Sequence, residues 1–158
     1  MSILKFETRT PRILRGMYNY LLDPTKTSED GIFTIGCNPR FVVEEFEFVQ
    51  KVYLREQIIH PYLQVIFSFD KNIALPLYVI KEISMKIGLI LILDRRQVFA
   101  AIHYLGKAAQ KIHCHYIVNP HPTKVGRFQV SFKETDCLST IRFKLRYLLP
   151  KLQAPHLN

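Results

Sequence analysis

Gln97-Val98-Phe99-Ala100-Ala101-Ile102-His103 and, after nine intervening residues, His113-Cys114-His115-Tyr116-Ile117-Val118 are the stretches whose reading decides the fold. Both are short, apolar and rich in branched or aromatic side chains, the composition of a largely buried strand. The segment between them contains Gly106, Lys107, Ala108 and Ala109, enough chain to turn back and pair the two strands antiparallel. Residues two apart in a strand point to one face, so His113 and His115 share a side while Cys114 faces the other. His103, closing the first strand, then joins them. A lone strand histidine is more often a hydrogen-bonded core or surface residue than a ligand. Three imidazoles converging on one point are how a protein builds a metal site with positions left open for substrate.

Outward from this pair, the chain reads as a mixture of helices and strands. Residues 2 to 8 alternate loosely and suit an edge strand. Thr10-Pro11 is a cap followed by proline at the first helical position. It predicts a helix to about Leu22, with Ile13, Leu14, Met17 and Leu21 inward, ended by Asp23-Pro24. A short strand is expected at Ile32-Phe33-Thr34-Ile35. Asn38-Pro39 repeats the cap-and-proline signal and predicts a helix to about Tyr53 that buries Phe41, Val42, Phe46, Val49 and Val52. Tyr62 to Phe69 reads as a strand, and residues 75 to 91 fit a helix, with Gly88 blurring its end. After the histidine strands come an expected strand at Arg127-Phe128-Gln129-Val130 and a helix from Lys133 to Leu149, stopped by Pro150. Regular βαβ alternation is missing, and the central strands are joined by a short turn. The reading is therefore α+β, a central antiparallel β-sheet flanked by helices.

The 158 residues suit one domain, long enough for one core and too short for two. Lys and Arg outnumber Asp and Glu by 22 to 13, a net charge of +9 that points to an anionic partner, most plausibly nucleic acid. Cys37, Cys114 and Cys137 are odd in number and form no C-x-x-C pair, which predicts buried free thiols in a reducing, cytoplasmic setting. No basic-then-apolar leader follows Met1. The apolar run Ile87 to Leu93 is only seven residues, too short to span a bilayer, so no membrane insertion is expected.

The arrangement resembles relaxases, the mobilisation nucleases of conjugative and mobilisable elements, within the HUH endonuclease class (histidine, hydrophobic residue, histidine). His113-Cys114-His115 matches the class motif, and Gln97 to His103 resembles the strand carrying the third histidine. Ile117-Val118-Asn119 after the pair is similar as well. Tyr20-Leu21-Leu22-Asp23-Pro24-Thr25-Lys26-Thr27 resembles the tyrosine-bearing N-terminal segment. Cys37-Asn38-Pro39 with its helix, the strand ending Phe67-Ser68-Phe69, and Gly126-Arg127-Phe128 follow in family order, so the resemblance covers most of residues 10 to 149. The chain departs from the pattern in two places. Relatives often carry an acidic or amide residue and Thr shortly after the first histidine, where Tyr104-Leu105-Gly106 stands here; this bears on second-shell support of the metal. The chain also ends soon after the last expected helix, so the expectation is a minimal or truncated relaxase-like domain, catalytically impaired if that loop matters.

The resemblance implies an HUH-nuclease architecture in a bacterial cytoplasm. The implied activity is site-specific nicking of single-stranded DNA at a plasmid or conjugative-element transfer origin, with strand transfer through a 5′-phosphotyrosine. It also implies Mg²⁺ or Mn²⁺ as cofactor and accessory mobilisation proteins as partners. Ligand chemistry alone ranks Mn²⁺ above Mg²⁺ and lets Zn²⁺ or Cu²⁺ bind more tightly still. His103, His113 and His115 would be the metal ligands. The family segment points to Tyr20 as nucleophile; on a helical wheel Tyr18 competes, since both flank the apolar stripe. Arg9, Arg12, Arg15 and Lys26 around that helix, with Lys107 and Lys111 in the turn between the histidine strands, are the candidates for steering the DNA backbone. Three other readings stand beside this one. A replication initiator or transposase of the same class is disfavoured because those relatives usually carry the tyrosine after the histidines. The others are a relaxase remnant that only binds DNA, and a metal hydrolase without covalent intermediate.

Overall fold

The computed structural model describes residues 3–7, 13–53, 61–70, 75–92 and 95–122. Eight regular elements follow in order: β1 (Ile3–Glu7), α1 (Leu14–Leu21), β2 (Ile32–Ile35), α2 (Val42–Tyr53), β3 (Leu63–Ser68), α3 (Leu77–Leu91), β4 (Arg96–His103) and β5 (His113–Pro122). The five strands form one sheet in the order β1-β3-β5-β4-β2, and every neighbouring pair is antiparallel. The expected α+β class and antiparallel sheet are therefore present, with the edge strand β1 where the alternation put it. The strand at 127–130, the helix at 133–149 and the Thr10-Pro11 cap lie outside the described residues.

Strand alternation sorts the core into two layers. On one face Val65 and Phe67 of β3, Val98, Ala100 and Ile102 of β4, and Cys114, Tyr116 and Val118 of β5 pack against Ile80, Ile83, Ile87 and Leu91 of α3. On the other, Phe99, Ala101 and Ile117 meet Leu14, Met17 and Leu21 of α1 with Val42, Val43 and Phe46 of α2. Helices on both sides explain why β4 is buried along its whole length and reads as a continuous apolar run instead of an alternating one. Gly88 does not end α3. It lets the helix approach β2, where a Cβ would come within 3.0 Å of Ile35 and 3.3 Å of Phe33.

Two helix faces differ from expectation. Ile13, expected inside, is 73% exposed: it caps α1 with an extended backbone, and the helical stripe begins only at Leu14. In α2, Phe41 and Val52 are each 55% exposed, whereas Val43 and Gln50 are buried. Asn38 closes a turn, accepting the Arg40 amide on its side chain (3.0 Å) and the Phe41 amide on its carbonyl (3.1 Å), so the helix starts three residues later than the Asn-Pro signal implied. Gln50 then occupies an inner position that looks polar in the sequence. Its amide donates to Pro61 O (2.7 Å) and Asn119 Oδ1 (3.3 Å), and Asn119 in turn donates to Gln97 Oε1 (2.9 Å). This buried carboxamide chain fixes the register of α2 on β4 and β5, because each group would otherwise lose a partner it cannot recover from water.

Phe46 and Phe48 belong to one helix yet face opposite ways, Phe46 fully buried and Phe48 67% exposed. Phe46→Ala is expected to cost about 3–5 kcal/mol by urea unfolding, and Phe48→Ala no more than about 0.5 kcal/mol. Similar losses at the two positions would contradict the packing described.

Candidate metal centre

Antiparallel pairing of β4 with β5 sets His103 directly opposite His113 and Ala101 opposite His115. All three imidazoles therefore project from the face covered by α1. Ala101 presents only a methyl group across from His115, which leaves the ring room to lean toward His103. Ring centroids stand 4.7 Å apart for His103–His115, 4.8 Å for His113–His115 and 5.2 Å for His103–His113. One ligand nitrogen from each lies within 4.8 Å of the others, a cluster that could hold a metal ion. Cys114 points the opposite way into the α3 layer, as expected, and its buried thiol is pushed up to about 12. Among the described residues Cys37 and Cys114 are both free.

Each ring is held from behind. His103 Nε2 lies 3.3 Å from the carbonyl of Leu21, and His113 Nδ1 lies 2.7 Å from the carbonyl of Lys111. A carbonyl only accepts, so these nitrogens carry the protons and the opposite nitrogens keep their lone pairs. His115 Nδ1 meets the Gln64 carboxamide at 3.1 Å, and its Nε2 is buried with no hydrogen-bond partner among the described residues. Such an orphaned imidazole nitrogen is what a ligand position looks like from the protein side. Burial of His103, which is 1% exposed, depresses its basicity to about 4. Burial, reinforced by the neighbouring His103 and His113, depresses His115 to about 2. Both rings are neutral at pH 7, the state a metal requires. Two buried neutral imidazoles and a third half-buried one, rigidly mounted on paired strands, fit a divalent ion that accepts nitrogen donors.

The C-terminal end of α1 lies over this cluster. Tyr20 makes T-shaped ring contacts with His103 (5.8 Å between centroids) and with His115 (6.0 Å). Tyr18, its competitor on the helical wheel, is engaged elsewhere: its ring packs on Phe99 at 5.1 Å and its hydroxyl donates to Pro39 O at 2.9 Å. Burial raises the Tyr18 phenol above its usual range. The helix end stays in place because the loop after it docks on the loop after β4. Tyr104 and Leu105 donate their amides to Lys26 O at 2.9 and 3.0 Å. Gly106, in the left-handed region at φ +54°, comes so close to Thr25 that a Cβ would sit 2.8 Å from its carbonyl oxygen.

Of the basic candidates, Lys26 is at the cluster. Its Nζ stands 4.1 Å above the Tyr20 ring and 2.9 Å from Asp23 Oδ2. That lysine, helped by Thr25, holds the Asp23 carboxyl down at about 2. Lys107 and Lys111 are exposed on the turn joining β4 to β5, Lys111 two residues before His113. Arg15 lies instead at the seam of α1 and α2, paired with Glu44. Arg9 and Arg12 lie outside the described residues. The residues missed in the sequence are the holders, Gln64 and the carbonyls of Leu21 and Lys111. Backbone groups leave no residue signature, and Gln64 reads as one polar residue in an apolar strand. A groove of about 460 Å³ lined by Glu44, Glu45, Phe48, Val49 and Gln97 opens near the far end of β4 from His103, six residues away along the strand, and takes no part in the cluster.

No protein-family model and no curated protein matches the chain. No described helix is long and apolar enough to cross a membrane.

Because the folded values of His103 and His115 lie below the ordinary histidine value of 6.5, the unfolded chain binds more protons in acid. This contribution to stability is fully present above pH 6.5 and is lost as pH falls, through about 4 for His103 and about 2 for His115. The metal-free protein is expected to lose up to about 1.4 kcal/mol per pH unit per histidine across that window. Urea unfolding at pH 7 and pH 5, with His103→Gln as control, measures the slope. The control should lose the His103 share, and a flat profile in the parent protein would contradict burial of neutral rings.

Proposed function

We propose that this chain is a relaxase-like nuclease of the HUH class, nicking single-stranded DNA at a transfer origin through a covalent tyrosine intermediate. The observation that carries the reading is the position of Tyr20, a phenol from the first helix lying edge-on to two members of a three-histidine cluster. Histidine triads alone occur in many hydrolases. A tyrosine brought to one from a separate element is the arrangement that a phosphotyrosine reaction needs, and it accords with the order of the sequence motifs.

In this reading the triad would hold Mn²⁺ or Mg²⁺, which would supply positive charge to polarise the phosphodiester oxygens. Imidazole ligands are uncharged, so they leave that charge undiminished. Tyr20 Oη gives up its proton to solvent water and attacks phosphorus. The new bond joins Oη to phosphorus, the bond to the 3′-oxygen breaks, and the 3′-oxygen leaves as a hydroxyl after taking a proton. Reversal of the same steps by another 3′-hydroxyl transfers the strand. Lys26, stacked on the Tyr20 ring, adds a cation beside the incoming phosphate, while Lys107 and Lys111 extend positive charge along the turn that borders the cluster. The net charge of +9 favours encounter with DNA at low salt. The carbonyls of Leu21 and Lys111 and the Gln64 carboxamide hold the rings in place, which limits reorganisation during attack.

One observation favours a second reading, a remnant that binds DNA without cutting it. The Tyr104-Leu105-Gly106 loop commits two of its backbone amides to Lys26 O and the Tyr104 hydroxyl to Ser28 Oγ, and it brings no acidic or amide side chain to the triad.

Incubation with labelled origin-containing single strand and Mn²⁺, followed by denaturing electrophoresis, separates the readings. The wild-type protein and Tyr18→Phe are expected to form a covalent adduct, and Tyr20→Phe to lose it by at least about a hundredfold. Cleavage without adduct indicates a metal hydrolase, and binding without cleavage indicates the remnant.

A further inference from the structure

We propose that Gln64 is a positioning residue for the triad: its carboxamide oxygen takes the Nδ1 proton of His115, leaving Nε2 of that ring with a lone pair for the metal. This assignment rests on the triad being a metal centre and extends it to a side chain that neither the motif nor the resemblance marks.

Gln64 lies on β3 opposite Ile117, and Ile66 lies opposite His115, so Gln64 reaches His115 along the diagonal of the β3–β5 ladder. It faces away from the α3 layer, is only 4% exposed, and meets His115 Nδ1 at 3.1 Å. As placed, its NH₂ group faces the ring, so Nδ1 accepts and Nε2 carries the proton. Two buried atoms then lack partners among the described residues, Gln64 Oε1 and His115 Nε2. A proton on Nε2 would also exclude that nitrogen from ligation. A half-turn of the carboxamide about its Cγ–Cδ bond exchanges oxygen and nitrogen without changing the outline of the side chain. Oε1 then accepts from Nδ1–H, the Gln64 NH₂ group takes the place Oε1 held, and His115 Nε2 becomes an electron-pair donor instead of an orphaned N–H.

The other two rings support this orientation. His103 and His113 each face a backbone carbonyl, which can only accept, so both already have one nitrogen protonated and the other available. An oxygen at Gln64 gives His115 the same kind of holder, an accepting carbonyl oxygen, that the other two rings have. Of the three holders, Gln64 is the side chain and can be varied. A neutral carboxamide also withholds the basicity that a carboxylate would lend the ring, so the donor is weaker and the cation keeps more of its charge.

The test reads the tautomer of His115 in the metal-free, ¹⁵N-labelled protein at pH 7.5 by long-range ¹H–¹⁵N correlation, then the Mn²⁺ dissociation constant by calorimetry. The Nδ1–H tautomer is expected in the wild type and in Gln64→Glu, with mixed or Nε2–H character in Gln64→Met. Mn²⁺ binding should weaken about 10- to 100-fold in Gln64→Met and return to the wild-type level or tighter in Gln64→Glu. A wild-type ring protonated at Nε2, or a Gln64→Met protein that binds Mn²⁺ as tightly as wild type, would overturn the assignment. Failure of the wild type to bind Mn²⁺ would sink the metal-centre reading instead, and the tautomer would still decide the role of Gln64.

Discussion

The pairing of β4 with β5 is the constraint on which the rest depends. With His103 opposite His113, the two-residue period of a strand puts His115 beside them and Cys114 on the far face. A slip of one residue would send His113 and His115 into the α3 layer and Cys114 toward α1, exchanging two imidazoles for a thiol. The register is held by what each face must bury. Tyr116, whose hydroxyl donates to Ser84 O at 3.0 Å, and Val118 have volume and a hydrogen-bond partner only on the α3 side. Asn119 finds Gln97 and Gln50 only on the α2 side. The apolar core and a buried polar network thus enforce the alignment that gathers the triad.

A second junction brings the helix end to that triad. The loops after α1 and after β4 share hydrogen bonds through Lys26 O and a close approach at Gly106, so the tyrosine and the first histidine are carried by segments clamped to each other. The Leu21 carbonyl completes the link by meeting His103 directly. Tyr104-Leu105-Gly106 serves as this clamp.

Much of this was legible in the sequence for identifiable reasons. The histidine strands are apolar, branched and separated by a turn of suitable length, so their pairing and the shared face of the imidazoles followed from periodicity. The α2 face followed in part: Val42, Phe46 and Val49 are buried as expected, but Phe41 and Val52 lie outside and Gln50 lies inside, held by Pro61 and Asn119. Helical periodicity assumes that burial tracks hydrophobicity, and a buried carboxamide network breaks that assumption. The choice between Tyr18 and Tyr20 was open on the helical wheel because both border the same stripe. Their surroundings are a tertiary matter: Pro39 and Phe99 engage Tyr18, whereas Tyr20 packs on His103 and His115. The ring holders were invisible for a different reason, since two are main-chain carbonyls.

The central claim is that three imidazole nitrogens grip one divalent ion. Pulsed electron paramagnetic resonance of the Mn²⁺-loaded protein counts nitrogen couplings at the metal directly. The account predicts three histidine nitrogens, falling to two in His113→Ala. A spectrum of fully hydrated Mn²⁺, or of an ion bound through oxygen alone, would contradict it.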